Sequence, residues 1–534
     1  MKIKKNLSSN GTRFLMCFAF ILFLFYPFAQ MLVKITPDDI RNVVNAPNFL
    51  KAVGNTVKTA LATTAIAVPL GLLLAFAIQR TRIRWRAVWT VALTLPMLIP
   101  SISQSMGLVV LFGTNGILRN LLGIEGTIYG YTGIITGSVL YSYPVAFLMF
   151  SDVLKYQDSS PYEAAQVLGI PKLHTHLAIT LPYLTKPLIS SVFTVFSLVA
   201  TDYGIPMLIG GKTTTLAVMM YQEVLGQLNF SKGGVIGLFL LIPAVITFII
   251  NTIVKSRSKL SFVTRPFDLK KSKLRDGAAY LLCGTVLFLI TLLFASFFLV
   301  AFSKRYPSDM SFTFANVQKM FALRGGTYFV NSLIIAAFVS VIGITVAFIT
   351  AYLTARMPSK FSSLLHLFSI TSLAIPGLVL GLSYAMTFGG SFIYGTLAIL
   401  ILANIMHFFA SPYQMMYNSL GKMNENLENV GQTLGISRIR MIFDVIVPQS
   451  RSTMLEMFSY FFVNSMMTIS AVSFLSTVTT KPLSMLISQF EGQVLYECAT
   501  VVSLLILFSN VIIKGIVYLI NRRYYDKPSV NPNK

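Results

Sequence analysis

A chain of 534 residues that is 55% hydrophobic and 11% charged, with a mean hydropathy of +0.72, is too poor in charge to be a water-soluble domain, where about 25% is usual. Apolar stretches of about 20 residues, enough to cross a roughly 30 Å hydrocarbon layer, recur along the whole length and leave no segment for a large soluble domain. The net charge of +24 raises nucleic acid as a partner, whereas Cys17, Cys283 and Cys498 are too scattered for a disulfide framework or a metal site.

The first apolar run, Phe14 to Val33, follows Lys2, Lys4, Lys5 and Arg13 and so imitates the basic head of a secretory signal. It is too long for one, and Phe28-Ala29-Gln30 offers no small-residue cleavage pair, so a retained span is expected. Further spans are predicted at 56–78, 87–112, 128–150, 188–209 and 233–254, then at 279–302, 330–353, 364–388, 392–413, 454–476 and 499–520. The expected fold is an all-α integral membrane protein of about twelve transmembrane helices. It is arranged as two tandem six-helix halves, 1–255 and 279–534, with a basic cytoplasmic linker, 256–278. With the N-terminus inside, Arg80, Arg82, Arg84, Arg86 and the linker fall on the cytoplasmic side, together with most of the 42 Lys and Arg. Basic residues near span ends are held on that side, which explains the charge without any polyanion and places both termini in the cytoplasm. Nucleic acid is therefore not expected as a partner; the lipid bilayer is.

The third span holds Pro96 and Pro100 ahead of Ser101, Ser103, Gln104 and Ser105, and the ninth holds Pro376, Gly377, Gly381 and Ser383. Prolines leave backbone groups free, which a membrane tolerates only where protein or a water-filled cavity satisfies them. Pro100, Ser103, Gln104, Pro376 and Ser383 are accordingly candidates for lining a pathway, the alternative being an ordinary packed kink. Asn404, His407, Glu456 and Asn464 also lie in or near spans, where ionisable groups cost about 2.5–3.5 kcal/mol, although Glu456 is close enough to a cytoplasmic end to snorkel. Gly133 with Gly137 and Gly233 with Gly237 read as helix-packing pairs. His174 and His176 are too isolated for a metal site, and none is expected.

One pattern occurs twice. Between the fourth and fifth spans lies Glu163-Ala164-Ala165-Gln166-Val167-Leu168-Gly169, then Ile179, Thr180, Leu181 and Pro182. Between the tenth and eleventh lies Leu427-Glu428-Asn429-Val430-Gly431-Gln432-Thr433-Leu434-Gly435, then Val445, Val447 and Pro448. Gly169 to Gly435 and Pro182 to Pro448 are both 266 residues apart, Asn55-Thr56 answers to Asn331-Ser332, and Pro100 answers to Pro376. Such repetition marks duplicated halves. Each motif reads as two short helices across a glycine turn. Ser160 is the expected N-cap of the first, with Pro161 and Glu163 completing a capping box, and Gly169 stops it; Asn426 caps the second, Gly435 stops it and Ser437 restarts the chain.

These motifs resemble the signature of inner-membrane permeases of binding-protein-dependent ABC importers: Glu-Ala-Ala, three residues, Gly, nine residues, Ile, any residue, Leu-Pro. The first copy matches at every defined position. The second departs, with Asn429 in place of the glutamate, Val430 and Gly431 in place of the alanines, and Val445 and Val447 in place of the isoleucine and leucine. Whether Glu428, one position early, substitutes is open. The resemblance, over roughly 50–255 and 325–522, implies the type I importer permease fold. It also implies that Glu163, Ala164, Ala165, Gly169 and Pro182, with Glu428, Asn429, Gly435 and Pro448, form coupling helices that fit ATP-binding subunits, two identical copies being expected. Both halves on one chain resemble the fused subclass handling ferric iron or 2-aminoethylphosphonate, as do Thr201-Asp202-Tyr203-Gly204-Ile205-Pro206 through Gly210-Gly211-Lys212 and Ile469-Ser470-Ala471-Val472-Ser473-Phe474-Leu475. Implied too are a bacterial inner membrane, no cofactor, and an extracytoplasmic solute-binding protein meeting loops near 34–55, 210–232 and 477–498.

Gly211-Lys212-Thr213 is not a phosphate-binding loop, because Pro206 stands where the pattern needs glycine and the segment is expected outside the cytoplasm. The chain is therefore expected to be a transport subunit and not an enzyme, powered by a separate ATPase. The alternative, an ion-coupled secondary transporter, calls for an acidic-basic signature after the second span, and Arg80 to Arg86 contains no acidic residue.

Overall fold

Backbone amides in hydrocarbon have no water to bond, so apolar spans close their hydrogen bonds within helices. The computed structural model describes residues 2–123, 125–256, 267 and 271–525. Among them the only sheet is the hairpin Ser303–Arg305 against Asp309–Phe312. Nine helices are long and apolar enough to cross a membrane, and two bent pairs, Lys360–Ala374 with Gly377–Phe388 and Leu397–Phe408 with Ala410–Gly421, raise the number to eleven. The span expected at 454–476 is the 17-residue helix Arg451–Met467, which at about 1.5 Å per residue falls short of a full crossing. The chain leaves that helix in extended conformation at Thr468. The all-α fold in two six-helix halves is present, with this helix as its short member. Linker residues 257–266 and 268–270 lie outside the described residues, and the next helix begins at Lys273.

The third span is broken at its prolines, where freed backbone groups or a kink were expected. Arg86–Leu93 and Ser101–Phe112 are separated by a 3₁₀ turn and by Ile99 in extended conformation, and the ninth span bends by 105° at Ile375-Pro376. The cause is the same in both halves: a proline ring disfavours the helical region for the residue before it. The groups freed in the first half are bonded by side chains. Gln104 Nε2 donates to the Pro96 carbonyl (2.9 Å), and Asn510 Nδ2, from the last helix, donates to that of Leu98 (2.8 Å).

The halves exchange their first helices. Helix Asn10–Val33 lies on the second half, where Phe20 meets Phe409 edge-on at 5.0 Å and Arg13 Nη2 donates to the Met357 carbonyl at 2.8 Å. Helix Lys273–Ala301 lies on the first half, where Asp276 accepts from the Arg82 amide (3.2 Å) and Tyr280 from that of Arg84 (2.8 Å). Gly133 and Gly137 both face the short helix Gly204–Ile209, and Gly233 and Gly237 face Val224, Met220 and Val379, in keeping with a packing role. The twin polar pairs perform one task in each half. Asn55 Nδ2 donates to the Thr214 carbonyl (2.8 Å) and Thr56 accepts from the Leu216 amide (2.8 Å), while Asn331 donates to Thr479 (2.9 Å) and Ser332 accepts from Leu483 (2.8 Å).

Candidate functional site

Each of the two motif loops is built from the same parts. The first helix, Ser160–Val167, ends at Gly169 in left-handed conformation, φ +70°, with the Ile170 amide returning to the Ala165 carbonyl at 3.0 Å. The second, Leu427–Thr433, ends at Gly435, φ +71°, with Ile436 returning to Gly431 at 2.8 Å. A side chain at either glycine would be strained, and this is why the motif keeps glycine there. One π turn follows each, at His176–Thr180 and Ile442–Ile446, just before Pro182 and Pro448, which lack the N–H that an α turn would use.

The capping box expected at Ser160 does not form. Asp158 accepts from both the amide (3.1 Å) and the hydroxyl (3.0 Å) of Ser160, so the helix takes Ser159 as its N-cap, and Ser159 Oγ donates to Glu163 Oε1 at 2.7 Å. Asn426 occupies the second N-cap without a side-chain bond, whereas Ser437 caps the next helix by accepting from the Arg440 amide, as expected. Glu163, Ala164, Gly169, Pro182, Asn429, Gly435 and Pro448 are exposed and Ala165 is buried. Apolar tips bracket both glycines: Leu168 is 75% and Leu434 69% exposed, Ile170 41% and Ile436 38%.

Glu428 does not replace the motif glutamate. Its carboxylate turns inward and accepts from Arg356 Nε (2.8 Å) and Nη2 (2.5 Å), and both side chains are largely buried. At the 266-residue offset its counterpart is Tyr162, not Glu163. Arg80 and Arg356 were missed as site residues. The signal was available, since Asn55 to Asn331, Pro100 to Pro376 and Arg80 to Arg356 share one spacing of 276. Each arginine is the C-cap of a long helix, Phe49–Gln79 or Gly326–Ala355. Burial pulls the Arg80 guanidinium down to about 10, while the bond to Glu428 raises that of Arg356.

A second polar region lies where the halves meet. Tyr203 shares a hydrogen bond with Ser473 (3.0 Å) and stacks on Tyr221 at 5.0 Å, and Tyr221 faces Phe474 at 6.2 Å. Ser101, the first residue after Pro100, donates to Asp202 (2.6 Å), which also accepts from the Ile205 amide (3.0 Å). The contact is mirrored with the small residue exchanged: a Cβ on Gly204 would meet Ser101 Oγ at 2.6 Å, and one on Gly377 would meet Ser470 Oγ at 2.3 Å. Of the pathway candidates, Ser103 bonds Ser503 (2.9 Å) in the opposite half and Ser383 bonds the Leu380 carbonyl (2.8 Å). Ser103, Gln104 and Ser383 are all buried. Asn404 and Asn464 donate within their own helices, and Glu456 is exposed.

Duplicated six-helix halves with exchanged first helices and a matched pair of helix–glycine–helix loops are the frame of a membrane permease rather than of an enzyme. The chain belongs to the family described as "Binding-protein-dependent transport system inner membrane component", which it matches over residues 67–260 and 343–525, more than half its length. It is thus a multi-pass inner-membrane protein, a fused two-half ABC importer permease that provides the translocation pathway. It is 24% identical over 495 residues to "Putative ferric transport system permease protein FbpB 1" of Haemophilus influenzae, covering 88% of this chain and 78% of that one. It is 23% identical over 485 residues to "Ferric transport system permease protein FbpB" of Actinobacillus pleuropneumoniae, covering 86% and 70%. A second Haemophilus influenzae relative, "Fe(3+)-transport system permease protein FbpB 2", is 24% identical over 507 residues and covers 91% and 94%.

Proposed function

We propose that the chain imports ferric iron released by an extracytoplasmic binding protein, driven by two identical ATP-binding subunits seated on Ser160–Val167 and Leu427–Thr433. The observation that supports the docking reading is the matched pair of exposed apolar tips, Leu168 with Ile170 and Leu434 with Ile436, on the two motif loops. Apolar side chains held out of a polar loop at two equivalent places call for a partner that covers them. Glu163, Ala164, Ala165, Gly169 and Pro182 form the first docking element, and Asn429, Gly435 and Pro448 the second, with Glu428 beneath its surface. The names of the relatives favour ferric iron over 2-aminoethylphosphonate. The halves are 1–255 and 279–534, with 256–278 as a cytoplasmic linker and both termini inside. The pathway runs along the seam between the halves, bordered by the breaks at Pro100 and Pro376, with Gln104 bonded at the first break and Ser103 and Ser383 on the helices that follow the two breaks.

The purified chain alone is expected to hydrolyse no ATP. Proteoliposomes carrying it with its ATPase are expected to accumulate radioactive ferric iron only when the binding protein is supplied on the outer face. Saturable ATP-driven uptake without that protein refutes the reading, and so does nucleotide turnover by the chain free of any ATPase.

A further inference from the structure

Two arginines at equivalent helix ends reach sideways into the docking loops, and they do so by different chemistry. Arg356 spends its donors on the second loop: besides both Glu428 oxygens, Nη1 donates to the carbonyls of Met423 (3.0 Å) and Leu420 (3.4 Å), and Nη2 to that of Asn424 (2.7 Å). A guanidinium fork matched to a carboxylate and three carbonyls holds one geometry that lysine cannot reproduce. Arg80 meets no carboxylate among the described residues. Its Nη2 donates to Gln157 Oε1 (2.5 Å), Gln157 Nε2 donates to the Tyr162 hydroxyl (2.6 Å), and that hydroxyl shares a bond with Thr180 (2.7 Å). This neutral relay joins the end of a long helix, the docking helix and the π turn before the fifth span. Phe267, from the segment connecting the halves, closes it. Its ring lies 3.7 Å from the Arg80 guanidinium carbon and meets the Tyr162 ring edge-on at 5.0 Å.

A plain helix cap would bond the carbonyls of its own last turn; these arginines bond a loop some 70 residues further on. Resting on the docking reading above, we infer that Arg80 and Arg356 are positioning residues that carry docking-helix movement into the long helices Phe49–Gln79 and Gly326–Ala355. The two grips are unequal by construction. An ion pair to Glu428 sets the second, and the first depends on Phe267, so one residue of the linker holds one docking helix in place.

The test separates the grip from the docking reading by using two measurements. In the assembled transporter, Phe267→Ala is expected to retain its ATPase subunits and ATP turnover while uptake per ATP falls about threefold to tenfold, the range a partly desolvated cation–π contact represents. Phe267→Tyr is expected to restore the ratio, because it keeps a ring face over the guanidinium, and Phe267→Leu is not. Glu428→Gln is expected to lower the ratio as well, and Arg356→Lys is expected to fail to replace arginine. Hydrogen exchange on the purified chain, with no ATPase present, reads the seat directly. Amides of Ser160–Val167 are expected to exchange about threefold faster in Phe267→Ala with Leu427–Thr433 unchanged, and Glu428→Gln is expected to show the reverse. Unchanged exchange in both variants overturns the inference, as does full rescue by Phe267→Leu. Failure of the wild-type chain to bind any ATPase sinks the docking reading, and exchange still decides the grip.

Discussion

Glu163→Lys is expected to abolish uptake in a protein that still folds, inserts and purifies normally. Glu163 is exposed in the first turn of its helix, where its carboxylate accepts only the Ser159 hydroxyl among the bonds described. A carboxylate at an exposed helix N-terminus contributes about 0.3–1 kcal/mol, so reversing it cannot unfold a chain held by this many packed helices. The consequence must therefore fall on whatever the exposed face touches. Lysine places repulsion where the ATPase would present a basic group. At the equivalent position Asn429 is exposed, carries no charge and makes no side-chain hydrogen bond among the described residues, so Asn429→Ala is expected to stay near wild type. Uptake, measured beside ATPase co-purification for both variants, decides the matter. Equal loss in the two, or normal uptake in Glu163→Lys, would show that this residue does not rank the loops.

Gly71→Val is expected to destabilise the fold strongly. Helices Phe49–Gln79 and Tyr131–Lys155 form the most extensive helix pair among the described residues, and Gly71 packs directly on the backbone of Ala146 and Phe147. A Cβ there would stand 2.7 Å from both Ala146 Cβ and the backbone nitrogen of Phe147. Backbone inside a helix cannot swing aside as a side-chain tip can, so the pair must separate. Overpacking of this kind costs about 1–3 kcal/mol or more, and the loosened pair also carries the Arg80 and Asn55 contacts. Gly284→Ala, with nothing within 4 Å of its Cβ, is the matched control. Size-exclusion profiles after a heating series are expected to show loss of the monodisperse species for Gly71→Val and none for Gly284→Ala. A wild-type transition in Gly71→Val would mean that the two helices are not closely apposed in the membrane.

Much of the two motif loops was legible because their determinants are local. A glycine that must adopt positive φ, a proline that widens the turn before it, and a serine that caps the next helix act within a few residues, and duplication at a fixed spacing confirmed them. Error entered where two local solutions compete within one residue of each other. Ser159 and Ser160 can both cap, and Asp158 settled the choice by taking the Ser160 amide and hydroxyl. Glu428 could not be assigned from spacing at all, because its direction depends on Arg356, 72 residues away.

The sequence by itself determined the membrane class, the all-α halves and their duplication. Each of these follows from transfer free energies summed over about 20 residues or from repetition along the chain. Only the tertiary structure decided that the halves exchange their first helices, that Gln104 and Asn510 satisfy the carbonyls freed near Pro100, and that one motif helix is held by an ion pair and the other by a hydrogen-bond relay under Phe267. Those outcomes rest on single contacts between residues as far as 412 positions apart, where one donor can choose among several acceptors and no periodicity records the choice.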